Sequence, residues 1–179
     1  RRSDVLAEIE LLKLAKAAGV PCPKVFEELT ATDVEHPPPE LAGAHRGVAH
    51  VLVMERLRND RVSSKDLLEY ALSIIRAVKT LHDHGILHCD IKPDNVMWDA
   101  STRTASLVDF GRAQWEEGAK SFQGTEGFEA PEIENRSQPN TQVSDAYSVG
   151  MTLKWMLERY GDSEWSNDDK ELKIVQRVA

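Results

Sequence analysis

One polar run near the middle of the chain constrains the fold more than any other feature of the sequence. The run reads HCDIKPDN and covers residues 88–95, between a segment with helical apolar spacing and a segment with strand character. Connecting loops of this kind carry chemically active side chains on a rigid support. The run therefore predicts a functional loop that regular secondary structure holds at both ends.

The segments around this loop predict helices and strands. Apolar residues at three-to-four spacing, each series closed by a glycine, predict helices over about 3–19, 65–84 and 143–160. Apolar, β-branched runs predict strands near 47–57, 96–98 and 106–108. Three consecutive prolines within residues 31–46 exclude a helix or a central strand there, so this stretch is interpreted as an insertion. The last stretch, 162–179, is polar at first and then helix-like.

The composition excludes several classes of protein. Apolar residues make up 41% of the chain, which is enough to fold around a core. A net charge of −8 argues against nonspecific binding to nucleic acid or to an anionic membrane. The longest apolar runs, such as VLVM, fall far short of the roughly 20 residues that span a bilayer. The two cysteines, Cys22 and Cys89, fit a reducing compartment, so we expect an intracellular, cytoplasmic protein.

Further polar motifs follow the loop in a fixed order. Asp109-Phe110-Gly111 comes 14 residues after Asn95, and the segment GTEGFEAPE covers residues 124–132. The segment DAYSVG begins at Asp145, 13 residues beyond the end of the 124–132 segment. Phosphoryl transfer explains these residue types, because it depends mainly on positioning and on cations that stabilise spread negative charge. Amide and carboxylate oxygens of Asn95 and Asp109 are the ligands that Mg²⁺ prefers.

Together these motifs resemble the eukaryotic protein kinase family, and the resemblance covers roughly residues 3–160. The Lys-Pro pair in the loop, together with Thr125, resembles the Ser/Thr type. The resemblance implies an α+β, protein-kinase-like fold with a mostly helical large lobe and an incomplete small lobe. Residues 1–57 would be the remnant of the small lobe, with a glutamate-bearing helix, the insertion and the hinge strand. Residues 58–179 would be the large lobe, incomplete at its C-terminus.

The resemblance assigns roles to residues of the catalytic loop and of the segments after it. Asp90 matches the catalytic base, which orients the acceptor hydroxyl and takes its proton. Lys92 matches the lysine that contacts the phosphate and the acceptor. Asn95 and Asp109 match the magnesium ligands, and Thr125 matches the residue that braces the catalytic aspartate. His88 is expected to be a buried structural histidine of the loop.

A second set of residues resembles the nucleotide-binding side of the family. Glu8 lies in a segment, EIELL, that is similar to the helix whose glutamate pairs with the nucleotide lysine. The segment VLVMERL resembles the strand and hinge over adenine, which makes Met54 the gatekeeper. Backbone groups of Glu55 and Leu57 would then face the base, and Met97 would lie beneath the adenine ring.

The sequence also departs from the family pattern. Cys89 stands where the family usually has an arginine that pairs with a phosphorylated loop residue, so activity is expected not to require that phosphorylation. No Gly-x-Gly-x-x-Gly or Val-Ala-x-Lys occurs in the chain, which leaves Glu8 without an evident lysine partner. The resemblance therefore implies a domain truncated at both ends. A half-built small lobe is expected to expose apolar surface around Ile9, Leu12 and Val53.

These features lead to one functional hypothesis and two alternatives. The hypothesis is a protein kinase domain that transfers the γ-phosphate of ATP to Ser or Thr of a protein substrate, with Mg²⁺ as cofactor. The first alternative is a catalytically silent, pseudokinase-type interaction module. The second is a small-molecule phosphotransferase, against which stand the Lys-Pro pair and the 124–132 segment.

Overall fold

The structure is a computed structural model that describes residues 2–30 and 50–160. This part of the chain contains four α-helices and six short strands. They are α1 (Arg2–Ala17), β1 (Val25–Thr30), β2 (His50–Met54), α2 (Leu67–Asp83), β3 (Ile86–Leu87), β4 (Val96–Asp99), β5 (Thr104–Leu107), β6 (Gln114–Trp115), α3 (Pro131–Glu134) and α4 (Gln142–Tyr160). Helices combined with small antiparallel sheets confirm the α+β class.

The strands form three antiparallel pairs, β1 with β2, β3 with β6, and β4 with β5. In the last pair Val96 lies opposite Leu107. The side chains at these two positions are both buried, because residues that face each other across a strand pair share one face. This pair therefore supports both the loop that precedes β4 and the segment that follows β5.

The long central helix α2 forms because its apolar residues recur on one face. Its buried side chains are Leu67, Tyr70, Ala71, Ile74, Ala77, Val78 and Leu81. The helix ends before Gly85, whose φ of +69° is one that L side chains rarely adopt. The NH of Gly85 donates to the carbonyl of His82 at 2.9 Å, and the chain then enters β3 and the 88–95 loop.

A single cluster of buried side chains joins α1, α2, the β4–β5 pair and α4. Trp98 is a member of this cluster and is 1% exposed, with its ring 5.7 Å from the ring of Tyr70 in an edge arrangement. Ile91 of the polar 88–95 loop belongs to this core and anchors the loop on it.

The expectation of exposed apolar surface was wrong for two of the three residues named. Ile9 and Leu12 are 3% and 4% exposed, whereas Val53 is 41% exposed. Leu12 belongs to the common core, because α1 packs on it and the NH of Leu107 donates to the carbonyl of Pro21 at 2.8 Å. Exposed apolar side chains nevertheless occur on both elements, with Leu6 and Leu14 on α1 and Val53 and Met54 on β2.

The insertion at 31–46 and the helix-like stretch at 162–179 lie outside the described residues. Within residues 2–30 and 50–160, no helix is both long and apolar enough to cross a membrane.

Candidate active site

The shape of the 88–95 loop is set by a buried carboxylate from α4. Asp145, which is 1% exposed, accepts the NH of His88 at 2.8 Å and the NH of Cys89 at 2.9 Å. Nε2 of His82 lies 3.0 Å from the same carboxylate. Cys89 has a φ of +64°, which is costly for a residue with a side chain. The two backbone bonds to Asp145 hold the loop in this conformation.

His88 is fully buried, as expected, and packs under the loop. Its ring lies 5.0 Å from the ring of Phe110, and its Nε2 donates to the carbonyl of Val108 at 3.2 Å. Burial lowers the pKa of His88, so the ring stays neutral. The histidine therefore connects the 88–95 loop to the segment that carries Asp109.

Four donors surround the Asp90 carboxylate. The Thr125 hydroxyl donates to Oδ1 at 2.5 Å, and Nη1 of Arg112 lies 3.2 Å from the same oxygen. Nδ2 of Asn95 donates to Oδ2 at 3.1 Å, and Nζ of Lys92 lies 3.2 Å from it. Lys92 also donates to the Thr125 hydroxyl at 3.0 Å. The structure thus brings together the four residues predicted to be catalytic.

These donors determine the charge state of Asp90. Burial by itself raises the pKa of this carboxyl, but the Thr125 and Lys92 hydrogen bonds and the Arg112 and Lys92 charges outweigh burial and lower it. Asp90 is therefore an ionised hydrogen-bond acceptor at neutral pH.

Asn95 and Asp109, the predicted magnesium ligands, lie close together. The NH of Val108 donates to the carbonyl of Asn95 at 3.0 Å, which places the next residue, Asp109, beside it. Because the amide NH₂ of Asn95 bonds to Asp90, the amide oxygen is the group left to meet a cation. Asp109 is exposed, and hard oxygen donors of this kind fit Mg²⁺. Among the described residues, no group of three or more His, Cys, Asp or Glu could hold a metal ion.

Glu8 on α1 reaches the same end of the site. A Cβ placed on Gly111 would lie 3.1 Å from Oδ1 of Asp109 and 3.6 Å from Oε2 of Glu8, so the two carboxylates flank this glycine. Partial burial, and secondly the Asp109 charge, raise the pKa of Glu8. The structure thus places Glu8 next to the predicted metal ligand.

Glu8→Gln is expected to stabilise the chain against unfolding at neutral pH. Because folding raises the pKa of Glu8, the ionised form is less favourable in the folded state, and stability falls as pH rises through the folded pKa. The gain should disappear below pH 4.5, the ordinary pKa of the group, where Glu8 is protonated in both states. Thermal unfolding across this pH range measures it. Glu10→Gln, at an exposed position of the same helix, is the control, and an equal gain there would contradict the prediction.

The predicted adenine-binding residues lie on β2, on the connector after it and on β4. Met54 ends β2 and is 44% exposed, while Leu57 and Met97 are half-buried. The NH of Glu55 donates to the carbonyl of Lys24 at 2.8 Å. The backbone group of Glu55 that is predicted to face adenine is therefore its carbonyl oxygen. The Glu55 carboxylate accepts the Lys24 NH at 3.0 Å, which fixes the connector to β1.

Sequence reasoning missed two side chains of the site. Arg112 contacts Asp90 and the carbonyl of Gly124. Gln114 donates to Sγ of Cys89 at 3.2 Å and accepts the Ser121 hydroxyl at 2.6 Å. Arg112 follows the Asp-Phe-Gly motif directly, but no local pattern shows that its side chain turns toward Asp90.

Cys89 is buried and its neighbours do not activate it. Burial raises the pKa of its thiol far above the usual value. Its side-chain partner is neutral, because Gln114 links the Cys89 sulfur to the Ser121 hydroxyl.

Comparisons with known proteins agree with this geometry. A family model described as a protein kinase domain matches residues 41–178. The serine/threonine-protein kinase mos of Patiria pectinifera is 44% identical over 120 residues, which cover 62% of this chain and 33% of that protein. The serine/threonine-protein kinase nekl-2 of Caenorhabditis elegans is 34% identical over 128 residues, covering 62% and 35%. Smooth-muscle myosin light chain kinase of Gallus gallus is 31% identical over 118 residues, covering 64% and 6%. The chain thus spans about a third or less of each of these relatives.

Proposed function

The chain belongs to the protein kinase family, and from this premise we propose that it transfers the γ-phosphate of ATP to Ser or Thr of a protein substrate. The observation that carries the proposal is the Asp90 cluster, in which Lys92, Asn95 and Thr125 all bond to one buried carboxylate. Two of the relatives are named serine/threonine-protein kinases, which supports Ser or Thr as the residue that receives the phosphate.

In this proposal four side chains around the acceptor hydroxyl carry out the phosphate transfer. The Asp90 carboxylate orients the acceptor hydroxyl and takes its proton as the phosphate is transferred. Thr125 and Asn95 hold that carboxylate in position, because each donates to one of its two oxygens. The Lys92 ammonium adds a positive charge beside the acceptor, where it stabilises the transferred phosphate.

The nucleotide would lie between the predicted hinge and Asp109. Met54, Glu55, Leu57 and Met97 would contact the adenine ring. Asn95 and Asp109 would hold Mg²⁺, which supplies positive charge to the phosphates when bound. Glu8, beside Asp109, would belong to the same end of the nucleotide site.

The proposal also covers domain organisation and location. Residues 1–57 would belong to the small lobe and residues 58–179 to the large lobe. Cys22 and Cys89 are free and buried, which supports a reducing, cytoplasmic location.

One contact favours the alternative of a catalytically silent interaction module. Arg112 already bonds to the Asp90 carboxylate, so the acceptor side of the predicted base is occupied. In a silent module this contact would be permanent.

Thermal unfolding with and without ATP and Mg²⁺ tests the proposed function. A ligand that binds only the folded state at 100 times its dissociation constant stabilises it by about 2.7 kcal/mol. We expect a Mg²⁺-dependent rise in the unfolding midpoint that Asp109→Asn abolishes. Asp83→Asn, which alters an exposed carboxylate paired with Lys79, should keep the rise. A cooperative transition that is indifferent to nucleotide would favour the silent module.

A further inference from the structure

The guanidinium of Arg112 bridges Asp90 and Gly124. Its Nη1 lies 3.2 Å from Oδ1 of Asp90 and also donates to the carbonyl of Gly124. It thereby connects the catalytic loop to the segment just before Thr125.

The Asp90 carboxylate already has as many hydrogen-bond donors as it has lone-pair positions. A carboxylate offers about four lone-pair positions. Oδ1 already meets Thr125 and Arg112, and Oδ2 meets Asn95 and Lys92. An acceptor hydroxyl would be a fifth donor, so one of the four must leave before it can bind.

Three of the donors are held firmly. Asn95 is 5% exposed and also donates to the backbone carbonyl of Asp90 at 2.8 Å. The Thr125 hydroxyl has the shortest contact and is bonded by Lys92 as well. The Lys92 side chain is 20% exposed, against 42% for Arg112. Arg112 is therefore the donor that solvent reaches most easily.

The segment that carries Arg112 is anchored independently of it. The buried side chain of Asn140 accepts the NH of Gln123 at 2.7 Å and donates to its carbonyl at 2.8 Å. Gln114 ties the segment to Cys89 at 3.2 Å. The segment therefore stays in place when the guanidinium moves or is removed.

We propose that Arg112 occupies the position of the acceptor hydroxyl on Asp90 and must swing out before a substrate can bind there. The proposal rests on the proposed phosphotransfer, because Asp90 is taken as the residue that meets the acceptor. Arg112 thus competes with the acceptor hydroxyl for Asp90, and the energy of its contact with Asp90 lowers the affinity for the acceptor.

Steady-state kinetics of Arg112→Ala with a serine peptide test the proposal. The contact is partly exposed, so its loss should raise kcat/KM for the peptide about fivefold, the change that about 1 kcal/mol produces. The gain should come from a lower KM for the peptide, with the KM for ATP unchanged. Arg103→Ala, which removes an exposed arginine paired with Asp66 away from Asp90, should leave both constants unchanged.

Two results would overturn the proposal. A fall in kcat that Arg112→Lys restores would show that Arg112 positions Asp90 and does not obstruct it. An unchanged peptide KM would show that the contact does not compete with the acceptor.

Peptide binding separates this inference from the proposed function. If neither the wild type nor any variant transfers phosphate, the proposed function fails, and binding then decides the role of Arg112. A serine peptide should bind Arg112→Ala about fivefold more tightly than the wild type, by the same contact energy. The matching alanine peptide, which has no hydroxyl for Asp90, should bind both equally. Equal gains for the two peptides, or none, would refute the proposed competition.

Discussion

Asp145→Ala is expected to lower the free energy of unfolding by about 3–5 kcal/mol, the largest stability effect among the variants considered. The Asp145 carboxylate accepts the backbone NH groups of His88 and Cys89, and all three residues are buried. Alanine would leave both donors without an acceptor in the core. A buried donor that loses its partner carries a desolvation cost of about 1–3 kcal/mol.

The conformation of Cys89 adds to this loss. Its φ of +64° costs energy for a non-glycine residue, and the bond from its NH to Asp145 is what holds it there. Without that bond the loop should relax, and the neighbouring Asp90 should lose its fixed orientation. The variant is therefore expected to lose ordered structure in residues 88–95 as well as global stability.

Urea unfolding measures this effect, with Asp83→Ala as the matched control. Asp83 lies at the end of α2 in an exposed ion pair with Lys79, so its removal should change stability by no more than about 0.5 kcal/mol. If Asp145→Ala fails to fold, Asp145→Asn keeps one acceptor oxygen and should show a smaller loss of the same sign. A loss for Asp145→Ala no larger than that of the control would refute the structural role.

Asp90→Asn is expected to reduce the rate of phosphotransfer about 10²–10⁴-fold, the usual contribution of a positioned acid–base group. An amide cannot take the proton of the acceptor hydroxyl. Its NH₂ group would also face donors, because all four neighbours of the carboxylate present hydrogen atoms to it. The variant should therefore neither orient the acceptor hydroxyl nor take its proton.

Kinetics and nucleotide binding together separate this effect from a loss of structure. Asp90→Asn should keep the Mg²⁺-dependent thermal shift, because the predicted metal ligands are Asn95 and Asp109. Asp94→Asn, at an exposed position of the same loop, should keep nearly full activity. Activity of Asp90→Asn within tenfold of the wild type would exclude Asp90 as the base.

Several elements could be predicted from the sequence because their signals are local. The apolar stripe of α2 recurs every three to four residues, and Gly85 marks its end with a positive φ. The predicted strands at 96–98 and 106–108 correspond to β4 and β5, which are shifted by two residues or fewer. Periodicity reports which side of a segment faces the core, and this information is contained within the segment itself.

Other elements depend on pairing and gave no local signal. β3 and β6 have only two residues each, and each exists because the other lies opposite it. β1 contains Glu27 and Glu28, which have low strand propensity, yet both pair with β2, and the register shifts only between Val25 and Glu27. The burial of Leu12 likewise depends on the packing of α1 against distant segments.

The sequence by itself determined the family, the helices and the order of the chemical groups from Asp90 to Asp145. Only the tertiary structure decided which groups meet. Thr125 and Arg112 reach Asp90 across 35 and 22 residues of chain, and Asp145 shapes the loop from 57 residues away. The physical reason is that a local pattern encodes burial, whereas a hydrogen bond between distant residues requires the packed core to bring donor and acceptor within about 3 Å.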